Sequence, residues 1–212
     1  MSGRKNILLK VCGMREAENI RQVASLHPDY MGFIFYRSSP RFVGDDFAMP
    51  DHFPSEIKRV GVFVNEVTAE IGHLAQKHTL DYVQLHGDES VEQCSELRAL
   101  GIKVIKVFSI GNEFDFNHIM MYEDCVDFFL FDTKGRDFGG NGIVFDWTML
   151  QNYSQNVPFF LSGGISPGTI VGVDVLKGMN LHAVDVNSGV ECSPGIKDVE
   201  LVRKLKGYSS DS

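Results

Sequence analysis

The segment PFFLSGGISPGTIVGVDVLKGMNLHAVDVNSGV, residues 158–190, contains the pattern from which the fold can be predicted. It begins and ends near two short apolar runs, Pro158–Ser162 and Ala183–Asn187, and glycine follows each run closely. Runs of this kind predict buried β-strands, and the residues between them leave room for one helix and two loops. Repeated units of strand, helix and strand predict a parallel sheet whose polar loops gather at the carboxyl ends of the strands.

The same pattern recurs along the whole chain. We predict eight strands, at Ile7–Cys12, Tyr30–Tyr36, Arg59–Val64, Tyr82–His86, Lys103–Phe108, Phe128–Asp132, Pro158–Ser162 and Ala183–Asn187. With no linker and no shift in composition between them, they predict one α/β domain over residues 1–207, a parallel (β/α)8 TIM barrel. A doubly wound open sheet is the alternative. The barrel is favoured because polar residues and glycines recur just after the strand ends, where a barrel has its mouth.

Two segments depart from this regular alternation. The helical period is poor between residues 110 and 125, so we expect one helix to be short or missing there. Residues 208–212 are rich in Ser and Asp, which predicts a frayed C-terminal tail.

Composition excludes several classes of partner. The chain has 212 residues and a formal net charge of −8, which argues against binding to nucleic acid or to an anionic membrane. No segment resembles a signal peptide or a membrane span. The four cysteines (Cys12, Cys94, Cys125, Cys192) show neither close pairing nor metal-ligand spacing. These features predict a cytoplasmic protein with reduced thiols and no metal site.

The loops after the seventh and eighth predicted strands indicate phosphate binding. Gly163 and Gly164 have no Cβ, so their backbone N–H groups can approach an anion closely. Ser188 and Gly189 are placed to open a short helix whose N–H groups face the same anion. Either site alone is equally consistent with a tight turn. Together they favour phosphate, because barrels commonly hold phosphate at these two loops.

Four further residues at strand ends and loops are candidates for chemistry. Cys12 and Asp132 supply a thiol and a carboxyl group, a pair suited to moving a proton from carbon to oxygen. Taken singly, they are also consistent with a small buried residue and a helix cap. Arg41 follows a proline and suits a carboxylate, although an ordinary surface arginine is the alternative. His86 is either a substrate contact or a core histidine whose ring nitrogens are hydrogen-bonded within the protein.

Seven motifs resemble a known family. They are KVCGM at Lys10–Met14, SPR at Ser39–Arg41, VGVFVN at Val60–Asn65, QLHG at Gln84–Gly87, FDT with GGNGIVFDW at Phe131–Trp147, SGGISP at Ser162–Pro167, and VDVNSGVE with PGIKD at Val184–Asp198. In type and order these motifs resemble the phosphoribosylanthranilate isomerases. The resemblance covers nearly the entire chain.

The resemblance implies an Amadori rearrangement of a small phosphosugar, N-(5-phosphoribosyl)anthranilate, in tryptophan biosynthesis, without metal or cofactor. It implies Cys12 as general base, Asp132 as general acid and Arg41 as the contact for the anthranilate carboxylate. By the same resemblance, the phosphate is held by Gly163, Gly164, Ser188 and Gly189. The chain departs from the family pattern at Asn141, where Thr is more familiar, and at Asn187, where Ser is more familiar.

Two other functions remain open beside this one. The first is another phosphate-binding barrel, such as an epimerase or a phosphoribosyl-formimino isomerase. The formimino isomerase reaction uses two acids, so a cysteine at position 12 argues against it. An inactive barrel that binds phosphosugars is the second alternative. The sequence leaves a monomer and a homodimer both open.

The predicted barrel topology also indicates which side chains are neighbours in its interior. If Cys12 points inward, the alternation of side chains along a strand points Lys10 inward one layer below. Asp185 stands in the same relation on the eighth strand, the neighbour of the first in a closed barrel. We therefore predict a Lys10–Asp185 ion pair. A thiol base would further require local positive charge that lowers the pKa of Cys12.

Overall fold

A computed structural model of the chain describes residues 7–111, 114–133 and 146–210. Its eight parallel strands are β1 (Leu8–Val11), β2 (Tyr30–Ile34), β3 (Lys58–Phe63), β4 (Tyr82–Leu85), β5 (Val104–Ile110), β6 (Phe128–Thr133), β7 (Phe159–Leu161) and β8 (Leu181–Val186). Each overlaps a predicted strand. They form a closed barrel in chain order, and β1 pairs with β8 as well as with β2. The predicted barrel is confirmed, and an open sheet is excluded.

In the described residues, four α-helices cover the barrel, α1 (Ala17–Ala24), α2 (Thr68–Lys77), α3 (Val91–Ala99) and α4 (Val199–Ser210). Three of the remaining connections contain 3₁₀ helices, at Phe116–Cys125, Trp147–Asn152 and Ile170–Leu176. An antiparallel hairpin of β9 (Glu191–Ser193) and β10 (Ile196–Lys197) lies between β8 and α4. Of the helices in the described ranges, none has the length and apolar content that a bilayer span requires.

Within the described residues, the connection between β7 and β8 has the 3₁₀ helix Ile170–Leu176 in place of an α-helix, which was not predicted, and two further connections also lack one. Between β5 and β6 an α-helix is missing, as predicted, and the 3₁₀ helix Phe116–Cys125 replaces it. Between β2 and β3, residues 35–57 contain only turns and one isolated bridge. This missing helix was not predicted either. Pro40, Pro50 and Pro54 lie in the segment, and a proline lacks the backbone N–H that a helix interior uses.

The C-terminal boundary also differs from the prediction. Helix α4 continues to Ser210, beyond the predicted domain end at residue 207; the frayed tail stays a prediction, and residues 211 and 212 lie outside the described residues. The Tyr208 hydroxyl donates a hydrogen bond to Asp174, at 3.0 Å. This contact holds the last helical turn against the rest of the barrel. The composition of the tail could not predict it, because the partner residue lies far away in the sequence.

Side chains fill the barrel interior in layers. The lower layer is apolar and includes Tyr30, Ile105, Leu130 and Phe160. Its ring contacts include an edge-to-face pair of Tyr30 and Phe160 with centroids 5.2 Å apart. The upper layer, nearest the mouth, consists of Cys12 with Ile34 and Val62. The inward orientation expected for Cys12 is therefore confirmed.

A buried ion pair lies beneath Cys12. Lys10 pairs with Asp185 in the β1–β8 register, and the Lys10 Nζ lies 2.9 Å from the Asp185 Oδ1. Their side chains are 0% and 5% exposed. The predicted ion pair is confirmed. Burial alone would lower the pKa of Lys10, but the neighbouring Asp185 carboxylate outweighs it and raises that pKa.

Removing one member of this pair is expected to destabilise the fold strongly. Asp185→Leu leaves the Lys10 ammonium buried without a counter-charge, which costs about 3–5 kcal/mol. Replacing both, as Lys10→Met with Asp185→Leu, is expected to cost much less because no charge remains buried. Guanidinium unfolding followed by circular dichroism measures both. The matched control is Lys177→Met, which breaks a half-exposed pair with Asp174 and should cost under about 1 kcal/mol. Equal losses in the single and double variants would contradict this account.

Candidate active site

Cys12 lies at the floor of the barrel mouth. It directly follows β1, its backbone N–H donates to the Val186 carbonyl at 2.8 Å, and it is 4% exposed. Gly32 on the neighbouring strand makes room for it, because a Cβ at position 32 would come within 2.7 Å of the Cys12 Sγ. A larger residue at position 32 would therefore displace the thiol, a requirement that the sequence analysis did not identify.

The electrostatic surroundings of Cys12 differ from the expectation. Burial raises the pKa of the Cys12 thiol; Lys10 opposes this effect, Asp185 adds to it, and Lys197 opposes it. The net pKa lies above the ordinary thiol value, so the predicted lowering is wrong. The physical reason is that Asp185 already neutralises much of the charge on Lys10, while desolvation of the thiolate remains.

Asp132 faces the mouth from β6, on another side of the barrel. It is 5% exposed, and its Oδ2 lies 3.5 Å from the His86 Nε2. The His86 Nδ1 lies 3.0 Å from the Gln84 side-chain nitrogen, which can only donate. The neutral ring then carries its proton on Nε2, the nitrogen that faces Asp132. His86 is therefore a polar neighbour of the candidate acid.

A second buried ion pair supports the loop that carries His86. The Lys106 Nζ donates to Glu89 at 2.9 Å and to the Gly87 carbonyl at 2.8 Å. Glu89 in turn accepts hydrogen bonds from the backbone N–H groups of Asn65 and Gly87. The loop after β4 is thereby fixed from β3 and β5, and His86 is held at its base.

Arg41 reaches the mouth from the loop after β2, but a protein carboxylate already contacts it. Its Nε and Nη2 donate to Glu191, the first residue of β9, with a shortest distance of 2.7 Å. Glu191 also accepts from the Lys197 Nζ at 2.6 Å and from the Gly195 N–H at 3.0 Å. Neither Glu191 nor Lys197 was predicted to have a role. Their signal was two charged residues in the motifs VDVNSGVE and PGIKD, directly after the last strand.

The two glycine loops lie next to each other, as predicted. Gly163 and Gly164 adopt φ angles of +89° and +70°, the left-handed region that glycine enters without strain. Ser188 opens a short helix, a single 3₁₀ turn that ends at Val190. Gly189 packs so tightly on the first loop that a Cβ there would lie 2.1 Å from the Ile165 carbonyl oxygen.

The two departures from the family pattern have different outcomes. Asn187 lies beside the mouth, where its side-chain oxygen accepts a hydrogen bond from the Lys197 Nζ at 2.7 Å. The same oxygen leaves no room for a Cβ at Gly13, which would lie 2.7 Å away. Asn141 lies outside the described residues.

One cavity brings most of these residues together. Its lining includes Cys12, Arg41, His86, Asp132, Ser162 and Asn187. Ser162 and Asn187 directly precede the two glycine loops, which flank the cavity. Among the described residues, no three His, Cys, Asp or Glu side chains are arranged to hold a metal ion. The cavity thus combines a thiol, a carboxyl group, a guanidinium group and two glycine loops.

Comparison with known proteins gives one consistent family. A family model described as N-(5'phosphoribosyl)anthranilate (PRA) isomerase matches residues 9–206. The chain is 45% identical over 192 residues to the N-(5'-phosphoribosyl)anthranilate isomerase of Phocaeicola vulgatus, covering 91% of this chain and 92% of that protein.

Solved structures agree with this result. A phosphoribosyl anthranilate isomerase bound to reduced 1-(o-carboxyphenylamino)-1-deoxyribulose 5-phosphate is 30% identical with a TM-score of 0.79, covering 97% of this chain and 100% of that one. Monomers derived from the dimeric isomerase of Thermotoga maritima give 30% identity and a TM-score of 0.78, with the same coverage.

Proposed function

Because this chain belongs to the N-(5'-phosphoribosyl)anthranilate isomerase family, whose reaction is a step of tryptophan biosynthesis, we propose that Cys12 and Asp132 carry that reaction here. The reaction converts N-(5-phosphoribosyl)anthranilate to 1-(2-carboxyphenylamino)-1-deoxyribulose 5-phosphate. The observation that supports the assignment is that a buried thiol and a buried carboxyl group line one cavity from β1 and β6.

The proposed reaction begins with Asp132. Its carboxyl proton passes to the furanose ring oxygen, the C1′–O bond breaks, and the lone pair of the anthranilate nitrogen forms a C1′=N iminium. Cys12, as thiolate, then removes the C2′ proton, and the C2′–H electrons form a C1′=C2′ double bond as the nitrogen becomes neutral. The resulting enol gains a proton at C1′ and loses its hydroxyl proton, which leaves the ketone at C2′.

The raised pKa of Cys12 has a consequence for this scheme. In the free protein the thiol form predominates at neutral pH. The positive charge of the iminium develops directly beside the sulfur and favours the thiolate when the proton must be removed. The thiol proton leaves to the solvent at the barrel mouth, and the fraction of Cys12 in the active thiolate form rises only after Asp132 has acted, which couples proton removal at C2′ to ring opening.

The phosphate end is assigned to the adjacent glycine loops, Gly163 with Gly164 and Ser188 with Gly189. Support comes from the positive φ angles of the first pair and from the close packing of Gly189 on Ile165. Backbone N–H groups in such turns bind anions without a cationic side chain. The ribose then extends across the cavity, with the anthranilate directed toward Arg41.

A negative charge in the first loop is expected to weaken substrate binding strongly. Gly164→Asp places a carboxylate beside the phosphate, and we expect KM to rise by about ten- to a hundredfold. Gly164→Asn is the matched control, because Asn has the same shape, carries no charge and tolerates the left-handed region. Steady-state kinetics of both variants isolate the effect of charge. Equal KM values in the two variants would place the phosphate elsewhere.

Turnover of N-(5-phosphoribosyl)anthranilate tests the proposed function directly. The substrate is fluorescent, so its loss can be followed continuously, with the product identified by mass. Loss of fluorescence that depends on Cys12 supports the assignment. Binding of the substrate without turnover would instead support an inactive phosphosugar-binding barrel, and turnover of a phosphoribosyl-formimino substrate alone would support the related isomerase.

The proposed setting of the enzyme is the cytoplasm, as a monomer or a homodimer acting on a small phosphosugar. All four cysteines are free, and three of them are buried, which suits a reducing compartment. Sedimentation equilibrium distinguishes the two assemblies.

A further inference from the structure

Glu191 and Arg41 come from opposite ends of the chain and meet beside the barrel mouth, where Glu191 accepts hydrogen bonds from the Arg41 guanidinium group. The two residues are 150 positions apart, one on the hairpin after β8 and the other on the loop after β2. Three hydrogen bonds join them, at 2.9, 3.1 and 2.7 Å, and their side chains are only 12% and 6% exposed. Such a forked contact fixes both the position and the plane of the guanidinium group.

This contact leaves part of the guanidinium group available. Nε and one N–H of Nη2 are directed at Glu191, and no described residue accepts a hydrogen bond from Nη1. The Arg41 side chain also passes close over Gly13, where a Cβ would lie 2.9 Å from its Cδ. Nη1 therefore retains two donors at the edge of the cavity that Arg41 lines.

A second cation completes the cluster. The Lys197 Nζ, fully buried, donates to Glu191 at 2.6 Å and to Asn187 at 2.7 Å. Burial alone would raise the pKa of Glu191, but Arg41 and Lys197 outweigh it and hold that pKa below its ordinary value. One carboxylate between two cations leaves the cluster with an excess positive charge. This excess favours an anion in the cavity that Arg41 lines.

We propose that Glu191 is a positioning residue that sets the specificity of this site for a substrate bearing an aromatic carboxylate. It holds Arg41 with its remaining donors directed into the cavity, so the arginine need not be ordered when the ligand binds. This inference rests on the proposed function, since Arg41 must meet the carboxylate end of the substrate. Under this proposal, Glu191 affects binding of the carboxylate end of the substrate and leaves binding of the phosphate end unchanged.

The test compares two ligands that share a phosphate. Reduced 1-(o-carboxyphenylamino)-1-deoxyribulose 5-phosphate carries the carboxylate, whereas inorganic phosphate does not. Calorimetry gives the Kd of both ligands for the wild type, Glu191→Gln, Arg41→Ala and the double variant. Asp45→Asn is the matched control, because Asp45 likewise pairs with an arginine of the same loop, Arg37, but in a solvent-exposed position.

We expect Glu191→Gln and Arg41→Ala each to raise the Kd of the carboxylate ligand about ten- to a hundredfold. The Kd of inorganic phosphate should stay unchanged. In the double variant the loss should match that of Arg41→Ala within about threefold, because Glu191 acts only through Arg41. Asp45→Asn should bind both ligands as the wild type does. Where Glu191→Gln does not fold, Glu191→Asp replaces it and should show a smaller, equally selective loss.

Three results would overturn the proposal. They are an unchanged Kd in Glu191→Gln, an equal loss of both ligands, and a full additional loss when Glu191→Gln is combined with Arg41→Ala. These results are separate from a failure of the proposed function, which would show as a wild type without turnover. A wild type that turns over substrate while Glu191→Gln binds the carboxylate ligand normally contradicts only the role of Glu191.

Discussion

Cys12→Ser is expected to lower kcat by about 10²–10⁴-fold, with a much smaller change in KM. Serine preserves the shape of the side chain in the space that Gly32 leaves, so binding should persist. A hydroxyl is scarcely ionised at any accessible pH, whereas a thiol reaches the thiolate form even when burial raises its pKa. The measurement is a comparison of kcat and KM with the wild type on the same substrate preparation.

Cys192→Ser is the control for this variant. Cys192 is exposed, lies on the hairpin after β8, and does not line the cavity. It should retain wild-type kinetics and so show that loss of a thiol does not by itself impair the enzyme. If Cys12→Ser kept a kcat near that of the wild type, Cys12 would be a packing residue and another group would be the base.

Asp132→Asn is the second substitution with a large expected effect, again a loss of about 10²–10⁴-fold in kcat. Asparagine keeps the shape of the side chain, but it has no proton to give to the ring oxygen. Ring opening should therefore become limiting, while KM changes little. Because the acid and the base act in one sequence, the double variant with Cys12→Ser should lose less than the product of the two single effects.

The control for this variant lies at the opposite end of the same strand. Asp127 directly precedes β6 and accepts a hydrogen bond from the Val104 N–H at 2.8 Å, which asparagine can also accept. Asp127→Asn should leave kcat unchanged. A large loss of kcat in Asp127→Asn, or none in Asp132→Asn, would show that the site does not depend on a carboxyl group at the mouth end of β6.

Several features of the site could be predicted from the sequence, because they depend on the local pattern of apolar residues and on the order of the strands in the barrel. Short apolar runs located all eight strands, and parallel strands place the residues after their ends at one mouth. The Lys10–Asp185 pair was predictable for the same reason, since strand alternation and barrel closure together determine which inward side chains are neighbours. No rotamer or distance was needed for that step.

Other features depend on contacts that no local pattern encodes. Arg41 was identified by its motif, but its partner Glu191 lies 150 positions away, and only the folded chain brings them together. The turns of residues 35–57 and the helical end at Ser210 likewise depend on tertiary packing rather than on periodicity.

Which residues face the mouth could be predicted from the chain alone, because side-chain alternation and the order of the strands are properties of the amino-acid sequence. How those residues are charged and held depends on the folded protein. The pKa of Cys12 is raised rather than lowered, since it depends on how much water is removed from the sulfur and on how far Asp185 neutralises Lys10. Desolvation and Coulomb energies depend on burial and distances in space, and these exist only once the barrel has closed.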